Sequence, residues 1–171
     1  MAIGLLILRL VFGITMAAHG SQKLFGWFGG GGIAGTAPFM EQLGFRPGRL
    51  QAALAGLSEA GGGLMLAVGL LTPLAAAMIV SVMLVATVAV HLAKGFFAQN
   101  GGYEYPLALA TGALAVAFIG PGAMSLDAAL GIDWSGNGWG VTALVLAIVG
   151  SAAQLLTRTR LPVQAPAHQA S

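Results

Sequence analysis

The chain contains no cysteine and few charged residues, and these two shortages exclude several classes of protein. Only 7% of its 171 residues are charged, whereas soluble domains carry roughly 25%. So little polar surface cannot cover a globule in water, which excludes a soluble domain. Without cysteine, the chain forms no disulfide framework and cannot itself exchange thiols. The formal net charge of +2 rests on scattered basic residues, so nucleic acid is not an expected partner.

Apolar residues, by contrast, make up 57% of the chain. A helix needs about 20 mainly apolar residues to cross a bilayer, and five stretches approach that length. They cover residues 3–24, 50–71, 73–97, 105–119 and 139–156. None alternates with the period of a strand. The sequence therefore predicts an all-α fold, a transmembrane antiparallel helix bundle with four core helices and a fifth C-terminal helix.

The connecting segments divide the chain into three regions. We expect a four-helix membrane domain over residues 1–130, an additional transmembrane helix over residues 131–157 and a disordered polar tail over residues 158–171. Four consecutive glycines, Gly29 to Gly32, cannot hold a helix between the first two stretches. Residues 37–43 are amphipathic, and we expect them at the membrane interface with Trp27, Phe28 and Phe39 as anchors.

The basic residues predict a topology. With five crossings, one side of the membrane receives Lys23, Arg46, Arg49, Lys94, Arg158 and Arg160. Cytoplasmic loops carry an excess of lysine and arginine, so this pattern favours an N-terminus outside and a C-terminus in the cytoplasm. With four crossings the last two arginines change sides and the bias weakens.

Two ionisable residues, Arg9 and Glu59, lie inside the apolar stretches. Charges inside a membrane are costly and usually face the bundle interior with a partner. Arg9 lies early in the first helix and Glu59 near the middle of the second, which runs in the opposite direction. The sequence therefore predicts a buried ion pair between them, either at a ligand or proton site or as a structural pin between helices.

A second group of polar residues lies where three predicted helices end or begin. The residues are His19, Gln22, Lys23, His91 and Glu104. They reach the same membrane level if the helices alternate in direction, and we expect His19 and His91 to converge. Histidines with a carboxylate can relay protons, and histidine and lysine can bind a quinone carbonyl. Polar residues are also common at helix ends for solvation alone. A metal site is not predicted, because no single helix carries a metal-binding spacing.

Several short motifs, from Leu8-Arg9-Leu10 and His19-Gly20-Ser21-Gln22-Lys23 to Ser125 and Asp127, occur in an order that resembles the DoxX family. Leu8-Arg9-Leu10 with His19-Gly20-Ser21-Gln22-Lys23 resembles its opening, and Glu59-Ala60-Gly61-Gly62-Gly63 with Thr72-Pro73 resembles its second helix and exit. His91, Glu104 and the motif after the fourth helix, Ser125 and Asp127, match its remaining features. The resemblance covers about residues 3–130. The family usually ends after four helices, so the fifth apolar segment is a departure.

The resemblance implies a multi-pass protein of the bacterial inner (cell) membrane with a redox association. The family is similar to subunits of quinone-linked sulfur oxidoreductases and to proteins that mature periplasmic amine dehydrogenases. Some members are associated with thiol-redox complexes. Three hypotheses follow: a membrane subunit of a quinone- or thiol-linked redox system, with soluble or membrane redox proteins as partners; a carrier for a small molecule or lipid; and an assembly factor. The sequence contains no autonomous catalytic constellation, and it specifies neither the catalytic residues, the cofactor nor the oligomeric state.

Overall fold

The computed structural model describes residues 2–159 and consists of seven α-helices over that range. The helices are α1 (Ala2–Phe25), α2 (Gly32–Gln42), α3 (Gly48–Val68), α4 (Thr72–Ala86), α5 (Glu104–Ile119), α6 (Leu126–Ala129) and α7 (Asn137–Leu156). A π-helix, Thr87–His91, and a 3₁₀ turn, Leu92–Lys94, continue α4. The all-α bundle is confirmed. The expected disordered tail lies almost wholly outside the described residues.

The helices α1 and α3 pack against each other more closely than ordinary side chains allow. A methyl group added to Gly13 would lie 2.6 Å from Gly63 O and from Ala67 N. Gly20 meets the backbone of α3 in the same way, at Gly56 and Ala60. Small residues permit such backbone contact between membrane helices. The pairings fix α1 and α3 as antiparallel neighbours with a defined register.

The rest of the bundle is built on α4, which packs against α3, α5 and α7. Alanines dominate these contacts and allow close approach, while larger apolar side chains fill the space toward α1 and α3. Fully buried positions of both kinds are Met16, Leu66, Ala75, Ala76, Ile79, Ala113, Val116, Ala143 and Ala147. The fifth apolar segment is therefore an integral part of the bundle.

The outer surface is apolar while charged groups lie inside, the reverse of a soluble protein. Exposed side chains of α1 and α7 include Ile3, Ile7, Val11, Ile14, Val141, Val145 and Val149, whereas Arg9, Glu59 and Asp127 are buried. This pattern is typical of a protein surrounded by lipid. Three helical segments in the described range are long and apolar enough to cross a membrane: Ala2–Phe25, Thr72–Lys94 and Asn137–Leu156. The apolar α5 is shorter, and glycines and Glu59 lower the hydropathy of α3.

The two ends of the bundle differ in charge. The end of α1, the start of α3 and the ends of α4 and α7 lie together at one end of the bundle. This end is here called the basic end, because it carries Lys23, Arg46, Arg49, Lys94 and Arg158. The opposite end contains the turn at Leu71–Thr72 and the segment around Asp127. There Ser125 caps α6, since its hydroxyl accepts a hydrogen bond from Ala128 N at 3.1 Å.

Candidate functional site

A cavity of about 310 Å³ opens near the basic end of the bundle, between α2, α3, the end of α4 and α7. Most of its wall is apolar and comes from residues such as Phe39, Leu43, Phe45, Val82 and Val85. Polar groups enter it from four helices: Lys23, Gln51, Ser58, Glu59, His91 and Gln154. An apolar cavity with a few convergent polar groups is the usual form of a small-molecule site.

The only salt bridge within the described residues lies at this cavity. Lys23 Nζ donates to Glu59 Oε2 at 2.5 Å. The Glu59 side chain is 4% exposed, whereas the Lys23 side chain is 26% exposed and reaches toward the surface. Glycine contacts between α1 and α3 bring these two residues to the same level. The pair supplies a fixed cation and anion with no net charge to the cavity.

The predicted ion pair between Arg9 and Glu59 is wrong, although both residues are buried. Arg9 packs against Gly69, which lies about ten residues beyond Glu59, roughly 15 Å along a helix at 1.5 Å per residue. The α1–α3 register therefore separates the two charges by far more than an arginine side chain can reach. The close approach at Gly13 and Gly20 sets this register, and it places Glu59 beside Lys23 instead.

Arg9 belongs to a separate buried cluster at the opposite end. Its guanidinium donates to the backbone carbonyls of Pro121 and Met124, and Asp127 follows in the same segment of the chain. Asp127 is fully buried; its carboxylate accepts bonds from Leu71 N at 2.7 Å, Thr72 N at 3.0 Å and the Thr72 hydroxyl at 2.8 Å. These bonds cap the N-terminus of α4. The cluster ties four chain segments together, which is a structural role.

His91 reaches the cavity from the π-helix at the end of α4. Its Nδ1 donates to Gly101 O at 2.6 Å. In the neutral imidazole this bond holds the proton on Nδ1 and leaves Nε2 as a hydrogen-bond acceptor. Ala89 and Val90 of the same π-helix also line the cavity. Single π-turns within α-helices occur frequently at functional sites.

The other members of the predicted polar cluster do not line the cavity. His19 Nε2 bonds the Tyr105 hydroxyl at 3.0 Å, Gln22 donates to Phe28 O at 3.2 Å, and Glu104 accepts from Ala98 N at 2.9 Å. Each of these contacts fastens one helix end to a neighbouring helix or loop. Of the five residues, only Lys23 and His91 line the cavity. Within residues 2–159, no group of three or more histidine, cysteine, aspartate or glutamate side chains could hold a metal ion.

Two glutamines at the cavity were not singled out from the sequence. Gln154 Nε2 of α7 donates to Gln51 Oε1 of α3 at 2.5 Å. Both residues lie in apolar stretches, where an amide side chain is costly unless it is bonded. An amide in an apolar stretch therefore marks a residue that needs a hydrogen-bond partner. The sequence does not reveal the partner, because it does not show which helices pack together.

The Lys23–Glu59 pair permits a test of stability. We expect Lys23→Met to lower the free energy of unfolding by about 1–3 kcal/mol, because it leaves a buried carboxylate without its partner. The double variant Lys23→Met/Glu59→Met should recover part of the loss, since no unpaired charge remains. Thermal unfolding in detergent measures both. Lys94→Met, an exposed lysine at the same end, is the control; equal melting of Lys23→Met and wild type would contradict the pairing.

Comparison with protein families places the cavity residues in context. The model of the DoxX family matches residues 4–92, more than half of the chain. The matched region contains Lys23, Gln51, Glu59 and His91, whereas α5, the Asp127 segment and α7 lie beyond it. No curated protein and no solved structure matches the chain.

Proposed function

The chain belongs to the DoxX family of membrane proteins, and from this premise we propose that it is a membrane subunit or partner of a redox system that binds a quinone in its cavity. The cavity is the observation that carries the proposal. Its volume of about 310 Å³ falls within the roughly 300–1,000 Å³ of small-molecule sites. It opens at one end of a bundle whose outer surface is apolar, so a lipid-soluble molecule can reach it from the bilayer.

The residues at the cavity fit the chemistry of a quinone. A quinone is a flat, apolar ring whose carbonyl oxygens accept hydrogen bonds. The cavity combines an apolar wall with hydrogen-bond donors and acceptors. Lys23 Nζ is a donor that is held in place by Glu59 and can bond a quinone carbonyl. His91 Nε2 is an acceptor, oriented by the bond from Nδ1, that can bond the hydroxyl of the reduced quinol. Valines of α4 and the side chains of Phe39 and Phe45 provide the apolar contacts.

Quinone reduction takes up two electrons and two protons, and the side chains here can handle the protons. The imidazole of His91 can exchange a proton with a bound oxygen through Nε2. Lys23 is partly exposed at the basic end, so it connects the cavity with water. In this proposal a redox partner protein supplies the two electrons; a cysteine pair of the chain itself cannot, because the chain has no cysteine.

The packing of the bundle favours a binding site over the other two hypotheses. Between the cavity and the Arg9 cluster, the described core is filled by apolar side chains such as Met16, Leu66 and Ile79. A carrier that moves a polar molecule through the bundle needs a polar path there. A pure assembly factor needs no cavity lined by a buried charge pair. Binding at one end agrees better with both observations.

We extend the proposal to topology. The basic end faces the cytoplasm, because lysine and arginine are enriched in cytoplasmic loops. Five crossings of a bacterial inner membrane, by α1, α3, α4, α5 and α7, then place the N-terminus outside and the end of α7 inside. The cavity accordingly opens toward the cytoplasmic leaflet, where a reducing partner protein could dock.

A binding measurement tests the proposed function. A decyl-substituted benzoquinone is titrated against the full chain in lipid nanodiscs, and the dissociation constant is measured by equilibrium binding of the radiolabelled probe. The Ala55→Phe variant places a ring inside the cavity, since Ala55 is part of its wall. We expect its affinity to fall by about tenfold or more, which corresponds to a loss of roughly 1.4 kcal/mol of binding energy.

The control is Ala108→Phe, the same change at an exposed position of α5 that does not line the cavity. Its affinity should equal that of the wild type, because the added ring points into lipid. If both variants bind the probe like the wild type, the quinone does not occupy this cavity and the proposed function is wrong.

A further inference from the structure

The wall of the cavity includes a residue from α7, a helix that lies outside the part of the chain matched by the family. Gln154 lies in the last turn of α7 (Asn137–Leu156) and lines the cavity. The family match ends at residue 92. The cavity is therefore completed by a helix that the matched region does not supply.

The end of α7 is also fastened to the segment that forms another part of the wall. Arg158 Nε donates to Leu43 O at 2.6 Å, and Thr159 N donates to Gly44 O at 2.9 Å. The Arg158 guanidinium lies 6.0 Å from the centre of the Phe45 ring. Leu43 and Phe45 both line the cavity. These contacts hold α7 and the α2–α3 connection as one unit, so Gln154 is positioned by several independent bonds.

The bond between Gln154 and Gln51 leaves hydrogen-bonding groups for a ligand. It uses one N–H of Gln154 and the oxygen of Gln51. No hydrogen bond within residues 2–159 engages Gln51 Nε2 or Gln154 Oε1. A carboxamide both donates and accepts without carrying a charge. The pair can therefore bond a neutral polar group that enters the cavity.

The charges at the cavity also favour a ligand whose polar head group is neutral. The charges of Lys23 and Glu59 cancel each other, and the remaining polar lining contains no other lysine, arginine or carboxylate. An anionic head group would approach the buried Glu59 carboxylate without meeting an uncompensated cation, which is unfavourable at low dielectric. A neutral carbonyl meets no such cost.

We propose that Gln154 of α7, paired with Gln51 of α3, contacts the ligand head group and selects a neutral, carbonyl-bearing head over an anionic one. The proposal rests on the proposed function, since it concerns a ligand in the same cavity. It assigns α7 a role in specificity as well as in packing. The ligand class is a lipophilic molecule with an apolar tail and a neutral head that accepts hydrogen bonds.

The test compares two probes that share a decyl-sized tail and differ in the head group: a decyl-substituted benzoquinone and decanoate. Both are titrated against the full chain in nanodiscs of uncharged lipid. We expect the wild type to bind the quinone much more tightly than decanoate. Gln154→Met keeps the side-chain length and removes both hydrogen-bonding groups. Quinone binding should then weaken by about tenfold, while the weak decanoate binding stays unchanged. The ratio of the two dissociation constants, which measures the preference for the quinone, should therefore fall.

Two further variants make the result decisive. Gln51→Met removes the partner from a different helix and should narrow the preference in the same way, even if Gln154→Met folds poorly. Thr142→Val is the control in α7; its hydroxyl bonds only within its own helix, to Gly138 O at 2.9 Å, and its preference should equal that of the wild type.

The outcomes separate this inference from the proposed function. If Gln154→Met and Gln51→Met keep the wild-type preference while Ala55→Phe abolishes quinone binding, the cavity binds the ligand but the glutamine pair does not select its head group. If Ala55→Phe has no effect, both proposals are wrong. A preference of the wild type for decanoate also overturns the inference.

Discussion

Asp127→Ala is expected to lower the free energy of unfolding by about 3–5 kcal/mol, because it removes the acceptor of three hydrogen-bond donors at the start of α4, and a buried donor left unpaired costs about 1–3 kcal/mol. The carboxylate is fully buried and accepts three hydrogen bonds from Leu71 and Thr72 at the start of α4. Its removal leaves these donors at the start of α4 without their acceptor. Thermal unfolding and yield in mild detergent measure the loss.

Asp133→Ala is the matched control, because Asp133 lies in the same connection but is exposed and bonds only the nearby Ser135 hydroxyl. We expect a change of less than about 0.5 kcal/mol for such a surface position. Asp127→Asn keeps an acceptor for α4 but removes the charge, so it should fall between wild type and Asp127→Ala. If Asp127→Ala unfolds at the temperature of Asp133→Ala, the buried cluster does not stabilise the fold.

A single methyl group should have opposite effects at two glycines of α1. In Gly13→Ala the new methyl group lies 2.6 Å from backbone atoms of α3, and backbone cannot rotate away. We expect the two helices to separate and the free energy of unfolding to fall by about 1–3 kcal/mol or more. Because Lys23 and Glu59 reach the cavity from these two helices, quinone affinity should fall as well.

Gly4→Ala provides the comparison within the same helix. Nothing lies within 4 Å of the added methyl group there, so only the helix propensity changes, and alanine favours the helix by about 0.5–1 kcal/mol over glycine. The two variants should thus shift the melting temperature in opposite directions. A similar shift for both would show that the α1–α3 contact is looser than described.

The helices could be predicted from the sequence because long apolar stretches have few alternatives. The expected segment 3–24 differs from α1 by one residue at each end, and the expected segment 139–156 begins two residues after the start of α7 and ends with it. The fifth segment, which departs from the usual family pattern, is a helix packed against α4 and α5. In these cases the pattern itself carries the structural information.

The partners of the buried charges could not be predicted in the same way. Pairing depends on the register between helices, and an error of one turn moves a side chain by about 5.4 Å. A signal for that register was present, since Gly13 and Gly20 are seven residues apart, as are Gly56 and Gly63. Matching these two pairs in antiparallel order aligns Glu59 with the C-terminal half of α1, which excludes Arg9 as its partner. The hydrogen bonds of Asp127 connect it with Thr72 and Leu71, which lie 55 and 56 positions earlier in the chain. No local sequence pattern indicates such a contact.

The Arg9 cluster has a consequence for the order in which the protein can mature during synthesis. The first helix carries its cation into the membrane, but the carbonyls that bind it belong to residues 112 and 115 positions later in the chain. The cap of α4 likewise emerges long after α4 itself. Until the segment around Asp127 has left the ribosome, α1 holds an uncompensated charge and α4 an open terminus. The arrangement of the early helices is therefore not fully stabilised until the last third of the chain has been synthesised.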